Sequence, residues 1–145
     1  MARTFPEGFT WGTATAAHQV EGNNVNSDWW TWEHDPANGC AEPSGDACDQ
    51  YHLYREDLAM LAALGFDSYR FSIEWARIEP EPGRFSKAAL DHYRRVCATC
   101  LEFGIEPVVT FHHFTTPRWV TAEGGWEDPG TVERFARYCG TAAEH

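Results

Sequence analysis

Positive charge is scarce in this chain: 11 Lys and Arg stand against 22 Asp and Glu, a net charge of −11 with histidine neutral. Nucleic-acid binders need basic side chains to displace counterions from phosphates, so no nucleic acid is expected as a partner. Long apolar runs are missing as well. No stretch approaches the roughly 20 residues that span a bilayer, so no membrane partner is expected either. The opening Met1-Ala2-Arg3-Thr4-Phe5-Pro6 has one basic residue and no apolar segment behind it, unlike an export signal, and the acidic surface fits a cytoplasmic location. Five cysteines, an odd number without an export signal, are expected to be free thiols. There is no low-complexity segment and no fixed-period repeat. Neither Gly-x-Gly-x-x-Gly nor His-Glu-x-x-His occurs, which removes the usual signatures of dinucleotide binding and of zinc hydrolysis.

Aromatic side chains are plentiful: they make up 14% of the chain, with seven Trp. Indole faces stack on the C–H faces of sugars, but Trp is also a large core residue, and composition alone leaves both roles open. At 145 residues and 43% hydrophobic content the chain is long and apolar enough for one globular domain.

The chain alternates between two kinds of pattern. Phe9–Ala14 is short and β-prone. Residues 23–49 are rich in Gly, Pro, Asn and Asp and read as a long functional loop. A helix is expected from about Asp49 to Leu64, with Tyr54, Leu58 and Leu61 on one stripe and Gly65 as its stop. Asp67–Ile73 reads as a strand. Ser86 can cap a second helix, with Leu90, Tyr93, Cys97 and Leu101 on its inner face and Gly104 at its end. Ile105–Phe111 is a third strand. Asp128-Pro129 would start a third helix, with an inner stripe of Val132, Phe135, Ala136, Cys139 and Ala143.

This β-α-β-α-β-α order is the opening of a parallel sheet with helical crossovers, either doubly wound or a barrel. A closed (β/α)8 barrel needs about 250 residues, so three units would form only part of one.

Several residues suggest chemistry. In Tyr69-Arg70-Phe71-Ser72-Ile73-Glu74-Trp75, alternation puts Tyr69, Phe71 and Ile73 on one face and Arg70, Ser72 and Glu74 on the other. Arg70 either faces a barrel site or forms a structural ion pair with a carboxylate such as Glu74 or Asp57. His112-His113 ends the third strand, and only one of the pair can face a barrel interior. Such a His can hydrogen-bond a polar ligand or sit satisfied in the core; two adjacent His make a poor metal set, and no metal is expected. Cys97-Ala98-Thr99-Cys100 matches C-x-x-C, but it lies within a predicted helix and reads as core packing.

Phe9-Thr10-Trp11-Gly12-Thr13-Ala14-Thr15-Ala16-Ala17-His18-Gln19-Val20-Glu21-Gly22 resembles the N-terminal signature of glycoside hydrolase family 1, the β-glucosidase family. Tyr69 through Pro80 resembles its second-strand motif, and Ile105 through Trp119 its third-strand motif. Gly125-Trp126 fits the segment that follows. The resemblance covers nearly the whole chain, with three motifs in order. It implies the N-terminal part of a (β/α)8 TIM barrel, incomplete, with residues 1–145 as a segment of one barrel domain. It also implies roles. Gln19 and His113 match residues that hydrogen-bond sugar hydroxyls. Arg70 matches the arginine beside the nucleophilic glutamate. Phe114 stands in the substrate-binding position where many members have Trp. Asn23 departs from the usual small residue. Asp28-Trp29-Trp30-Thr31-Trp32 resembles the aromatic loop at the pocket rim.

The family's acid/base motif, Thr-x-Asn-Glu-Pro, and its nucleophile motif, Glu-Asn-Gly, do not occur in these residues. No catalytic carboxylate is therefore assigned in this chain, and Glu74 is read as structural. The resemblance implies a retaining, exo-acting β-glycosidase acting on a β-linked di- or oligosaccharide or an aryl glycoside, without a cofactor, in carbohydrate metabolism. The 145 residues alone are expected to be inactive. The alternative is a non-catalytic sugar-binding or structural derivative of the fold.

Overall fold

A computed structural model describes residues 4–145; Met1–Arg3, part of the segment read as lacking an export signal, lie outside the described residues. Three strands, β1 (Gly12–Thr15), β2 (Ser68–Ser72) and β3 (Glu106–Thr110), form a parallel sheet in the order β1-β2-β3. Ala14 lies beside Arg70, and Arg70 beside Val108. Short helices α1 (Ala17–Val20) and α2 (Asp28–Glu33) follow β1, and α3 (Gln50–Ala63) crosses to β2. Helices α4 (Trp75–Ile78) and α5 (Lys87–Glu102) lead to β3, which is followed by α6 (Arg118–Ala122) and α7 (Gly130–Glu144). Three parallel strands joined by long helical crossovers make an arc of a (β/α)8 barrel.

Local chemistry sets the boundaries. The Ser86 hydroxyl accepts from the Ala89 amide at 3.2 Å and starts α5. Gly65 and Gly104, at φ 81° and 73°, supply the left-handed residues that stop α3 and α5. The cap of α7 falls on Pro129, one residue later than expected, and the Asp128 carbonyl accepts from the Thr131 amide at 3.0 Å.

The polar stretch 23–49 is not a plain loop. It contains α2, capped by Ser27 on the Trp30 amide at 3.1 Å, and a 3-10 turn at Pro36–Asn38 capped by Asp35. Polar composition hid both; in α2 the apolar content is Trp29, Trp30 and Trp32 alone.

The core lies on the helix-facing side of the sheet, where Tyr69, Phe71 and Ile73 are buried with Leu58, Trp75 and Ile78, as strand alternation predicts. Two helix stripes differ from expectation. In α5 Leu101 is 66% exposed, and the buried face turns toward Ala89, Val96 and Cys100. In α7 Val132 is 70% exposed and Ala136 also faces outward, while Thr131 and Tyr138 are buried. Tyr138 packs its ring flat on Trp75 and donates its hydroxyl to the Phe111 carbonyl at 3.0 Å. A stripe drawn from apolar residues alone overlooks such polar-tipped core residues. Among the described residues, no helix is long and apolar enough to cross a membrane, and all five cysteines are free.

Candidate active site

Parallel strands end on the same rim, so the segments after β1, β2 and β3 converge. Gln19 sits exposed in α1 and lines a hollow with His18, Trp29, Trp32 and Glu33. Gly22, at φ 80°, turns the chain tightly behind it: a Cβ there would lie 2.2 Å from the Asp46 carbonyl oxygen, so only glycine fits.

The two adjacent histidines part company. The His112 ring packs against Trp126 at 4.9 Å and toward Phe135, and burial pushes its pKa below the usual histidine value. Its Nδ1 has no hydrogen-bond partner among the described residues. His113 lies half-buried with its ring 4.7 Å from Phe114. Phe114 is 64% exposed and holds a left-handed backbone, φ 68°, that a bulky residue seldom adopts. It stacks on Trp29 with ring centroids 5.8 Å apart and planes within 5°, and the edge of His18 meets Trp29 at 5.5 Å.

This exposed aromatic pair is held from below. The Asp28 carboxylate accepts from the Thr116 amide at 2.9 Å and its hydroxyl at 2.8 Å, while the Asp28 amide donates to the Thr116 carbonyl at 2.9 Å. Helix α2 is thereby tied to the segment after β3, which fixes Trp29 opposite Phe114.

Arg70 lies exposed on the face of the sheet away from the helices, and its Nε donates to Thr110 at 2.9 Å. The ion pair weighed from sequence does not form. Asp57 accepts from Gln50 instead, and Glu74 is buried behind the strand end among other donors. An exposed guanidinium keeps its hydration and needs no carboxylate.

Beneath the rim runs a buried polar chain that sequence reasoning missed. Glu74 accepts from Asn24 and Thr115. The Glu74 amide donates to the Tyr93 hydroxyl at 3.1 Å, and that hydroxyl donates to Glu21 at 2.9 Å. Arg77 pairs with Glu21 at 2.9 Å and lies over the Tyr51 ring. Burial raises Glu21 to about 7, opposed by Arg77 and by the Tyr93 hydroxyl. Burial also raises Glu74 to about 7, opposed by hydrogen bonds from Thr115 and Ala76 and reinforced by the nearby Glu21. Glu21 and Arg77 lie inside the first and second motifs, and a charged residue at each of two motif ends was the available signal.

In the C-x-x-C segment Cys100 is fully buried, and burial pushes its thiol up to about 11. A thiol so protonated neither attacks nor ligates at neutral pH, which fits core packing. Among the described residues no group of three or more His, Cys, Asp or Glu is placed to hold a metal ion.

The family model for Glycosyl hydrolase family 1 matches residues 1–145. The beta-glucosidase A of Acetivibrio thermocellus is 42% identical over 142 residues, covering 93% of this chain and 32% of that protein. The crystal structure of the beta-glycosidase BGL167 superimposes with a TM-score of 0.95 at 65% identity, covering 97% of this chain and 34% of that one. A beta-glucosidase from Thermotoga maritima in complex with deoxynojirimycin superimposes with a TM-score of 0.90 at 41% identity, covering 94% of this chain and 33% of that one. The chain spans about a third of the length of the curated relatives it matches. With a whole-chain family match, three motifs in order and a superimposable three-strand arc, the chain belongs to glycosyl hydrolase family 1.

Proposed function

We propose that these residues form the sugar-holding part of a retaining, exo-acting β-glycosidase, with residues 1–145 as one segment of a single barrel domain. The observation that supports this reading is that Gln19 shares a hollow with Trp29, Trp29 stacks on the exposed Phe114, and the Phe114 ring lies 4.7 Å from that of His113. Stacked rings offer an apolar face to the C–H side of a pyranose, and the amide and imidazole beside them suit its hydroxyls. The strained Phe114 backbone fits a position kept for function, since such strain persists where the surroundings impose it.

The substrate is a terminal β-linked sugar on a di- or oligosaccharide or an aryl glycoside. In retaining hydrolysis one carboxylic acid protonates the leaving oxygen while a second carboxylate attacks the anomeric carbon and displaces the aglycone. Water, deprotonated by the first group, then releases the sugar with its configuration kept. Both carboxylates come from sequence beyond these 145 residues. Gln19 and His113 hold hydroxyls whose hydrogen bonds strengthen as the ring approaches its oxocarbenium-like transition state. The exposed Arg70 guanidinium lies near the nucleophile and favours its ionised form. The two-carboxylate mechanism requires no cofactor.

The test is hydrolysis of p-nitrophenyl β-glucoside by the complete gene product that carries this chain. Turnover there, with none from the 145 residues alone, supports the reading. A complete product without glycosidase activity refutes it and favours a non-catalytic derivative.

A further inference from the structure

Glu74 joins three loops at one point. It stands just past the end of β2, with its side chain 2% exposed. Its Oε2 accepts from Asn24 Nδ2 at 2.7 Å and from Thr115 Oγ1 at 2.8 Å; its Oε1 accepts from the Ala76 amide at 3.1 Å. Asn24 belongs to the segment after β1, Ala76 to the segment after β2, and Thr115 to the segment after β3. The connections continue outward on both sides. Asn24 Nδ2 also lies 3.3 Å from His18 Nδ1, and His18 immediately precedes Gln19. Thr115 follows Phe114, and its amide donates to the His113 carbonyl at 2.9 Å.

We propose that Glu74 is a positioning residue that clamps the loops after β1 and β3 to one carboxylate and so sets the separation of Gln19 and His113 across the sugar pocket. This rests on the sugar-binding reading of those two side chains. A carboxylate suits the task because it is acceptor-only when ionised, with room for several donors. An apolar residue would fill the same space but leave Asn24 and Thr115 without a shared acceptor. The carboxylate also orients Asn24, because an inverted amide would turn its oxygen toward an acceptor. Asn24 Oδ1 is buried with no partner among the described residues, so nothing on its far side fixes the amide. The titratable groups around Glu74 are Glu21, Arg77 and Tyr93, Tyr138 from α7, and His18 through Asn24, with Glu33 behind His18.

The experiment is a pH titration by NMR of the isotopically labelled complete gene product that carries this chain, with E74Q and E21Q beside it. In the wild type, the Asn24 side-chain amide, the Thr115 methyl and the Ala76 amide are expected to move with one midpoint, near 7, and the Gln19 amide and Phe114 ring to follow. E21Q keeps that common response, and E74Q abolishes it. If Ala76 alone responds, Glu74 is no more than a helix cap and the proposal is overturned. Should E74Q fold poorly, the wild-type and E21Q titrations still decide.

In the complete enzyme at pH 8, where Glu74 is ionised, losing the charge-assisted hydrogen bonds in E74Q should lower kcat/KM on the order of 10-fold, shared between kcat and KM, with the melting temperature little changed. Unchanged kcat/KM in E74Q beside an active wild type overturns the proposal. An inactive wild type refutes the sugar reading alone, and the loop response in the titration still tests the clamp.

Discussion

Raising the pH from 6 to 8 should loosen this fold. Glu21 and Glu74 are both held near 7 by burial, against an ordinary value of 4.5. The folded chain therefore binds their protons more tightly than the unfolded chain does. The stability they contribute is fully present below about 4.5 and is lost as the pH rises through 7. Between pH 8 and 6 the two carboxyls together contribute roughly 3 kcal/mol. His92 acts in the opposite direction. Burial, with the cations Arg95 and Arg77 nearby, lowers it to about 4 from 6.5, so its contribution falls as the pH drops through 6.5. Over the same interval it costs about 1 kcal/mol. The net gain on moving from pH 8 to 6 is about 2 kcal/mol, a large share of the 5–15 kcal/mol typical of a domain. Asp91, held near 2 mainly by hydrogen bonds from His145 and Lys87, stays ionised throughout and does not enter the balance. Urea unfolding at pH 6, 7 and 8 measures the effect, and Glu21→Gln should remove about two-thirds of it. A midpoint that is flat across this range, or higher at pH 8 than at pH 6, would refute the assignment of two buried, proton-holding carboxyls.

In the complete enzyme, Gln19→Ala and His113→Ala should each lower kcat/KM by roughly 10- to 100-fold without changing the melting temperature, as initial rates and calorimetry would show. Arg70→Ala should depress activity and move the acidic limb of the pH–rate profile upward, because a cation favouring an ionised nucleophile is gone; an unmoved limb would separate Arg70 from the nucleophile. Tyr138→Phe should cost about 1–2 kcal/mol in chemical denaturation, since the part-buried Phe111 carbonyl loses its donor, whereas Val132→Lys should stay within about 0.5 kcal/mol.

Much of the architecture was legible because it is written in local patterns. Alternation in Tyr69–Ile73 marked both the strand and its buried face. Ser86, Gly65 and Gly104 marked helix ends within a residue or two. The motif around Gln19 and the one around His113 pointed to the rim on which both lie. What stayed hidden depends on distant partners. The hydrogen bond from Tyr93 to Glu21 joins residues 72 apart, and that from Thr116 to Asp28 joins residues 88 apart. No period in the sequence encodes such pairs. The α7 stripe drawn from apolar residues differs from the buried face because Tyr138, whose hydroxyl reaches the Phe111 carbonyl, lies in the core while Val132 is exposed. For Arg70, alternation gives the face but not the partner, so a site-facing role and an ion pair both stay open; the structure engages Asp57 with Gln50, and Glu74 with Asn24 and Thr115.

The central claim is that these residues hold the sugar in a retaining β-glycosidase, and the stereochemistry of the complete gene product tests it most directly. Proton NMR of the reaction with p-nitrophenyl β-glucoside, recorded before mutarotation, identifies the first anomer released. The account predicts β-glucose first, with the α anomer growing in only later. α-Glucose as the first product, or no hydrolysis by the complete protein, would contradict it.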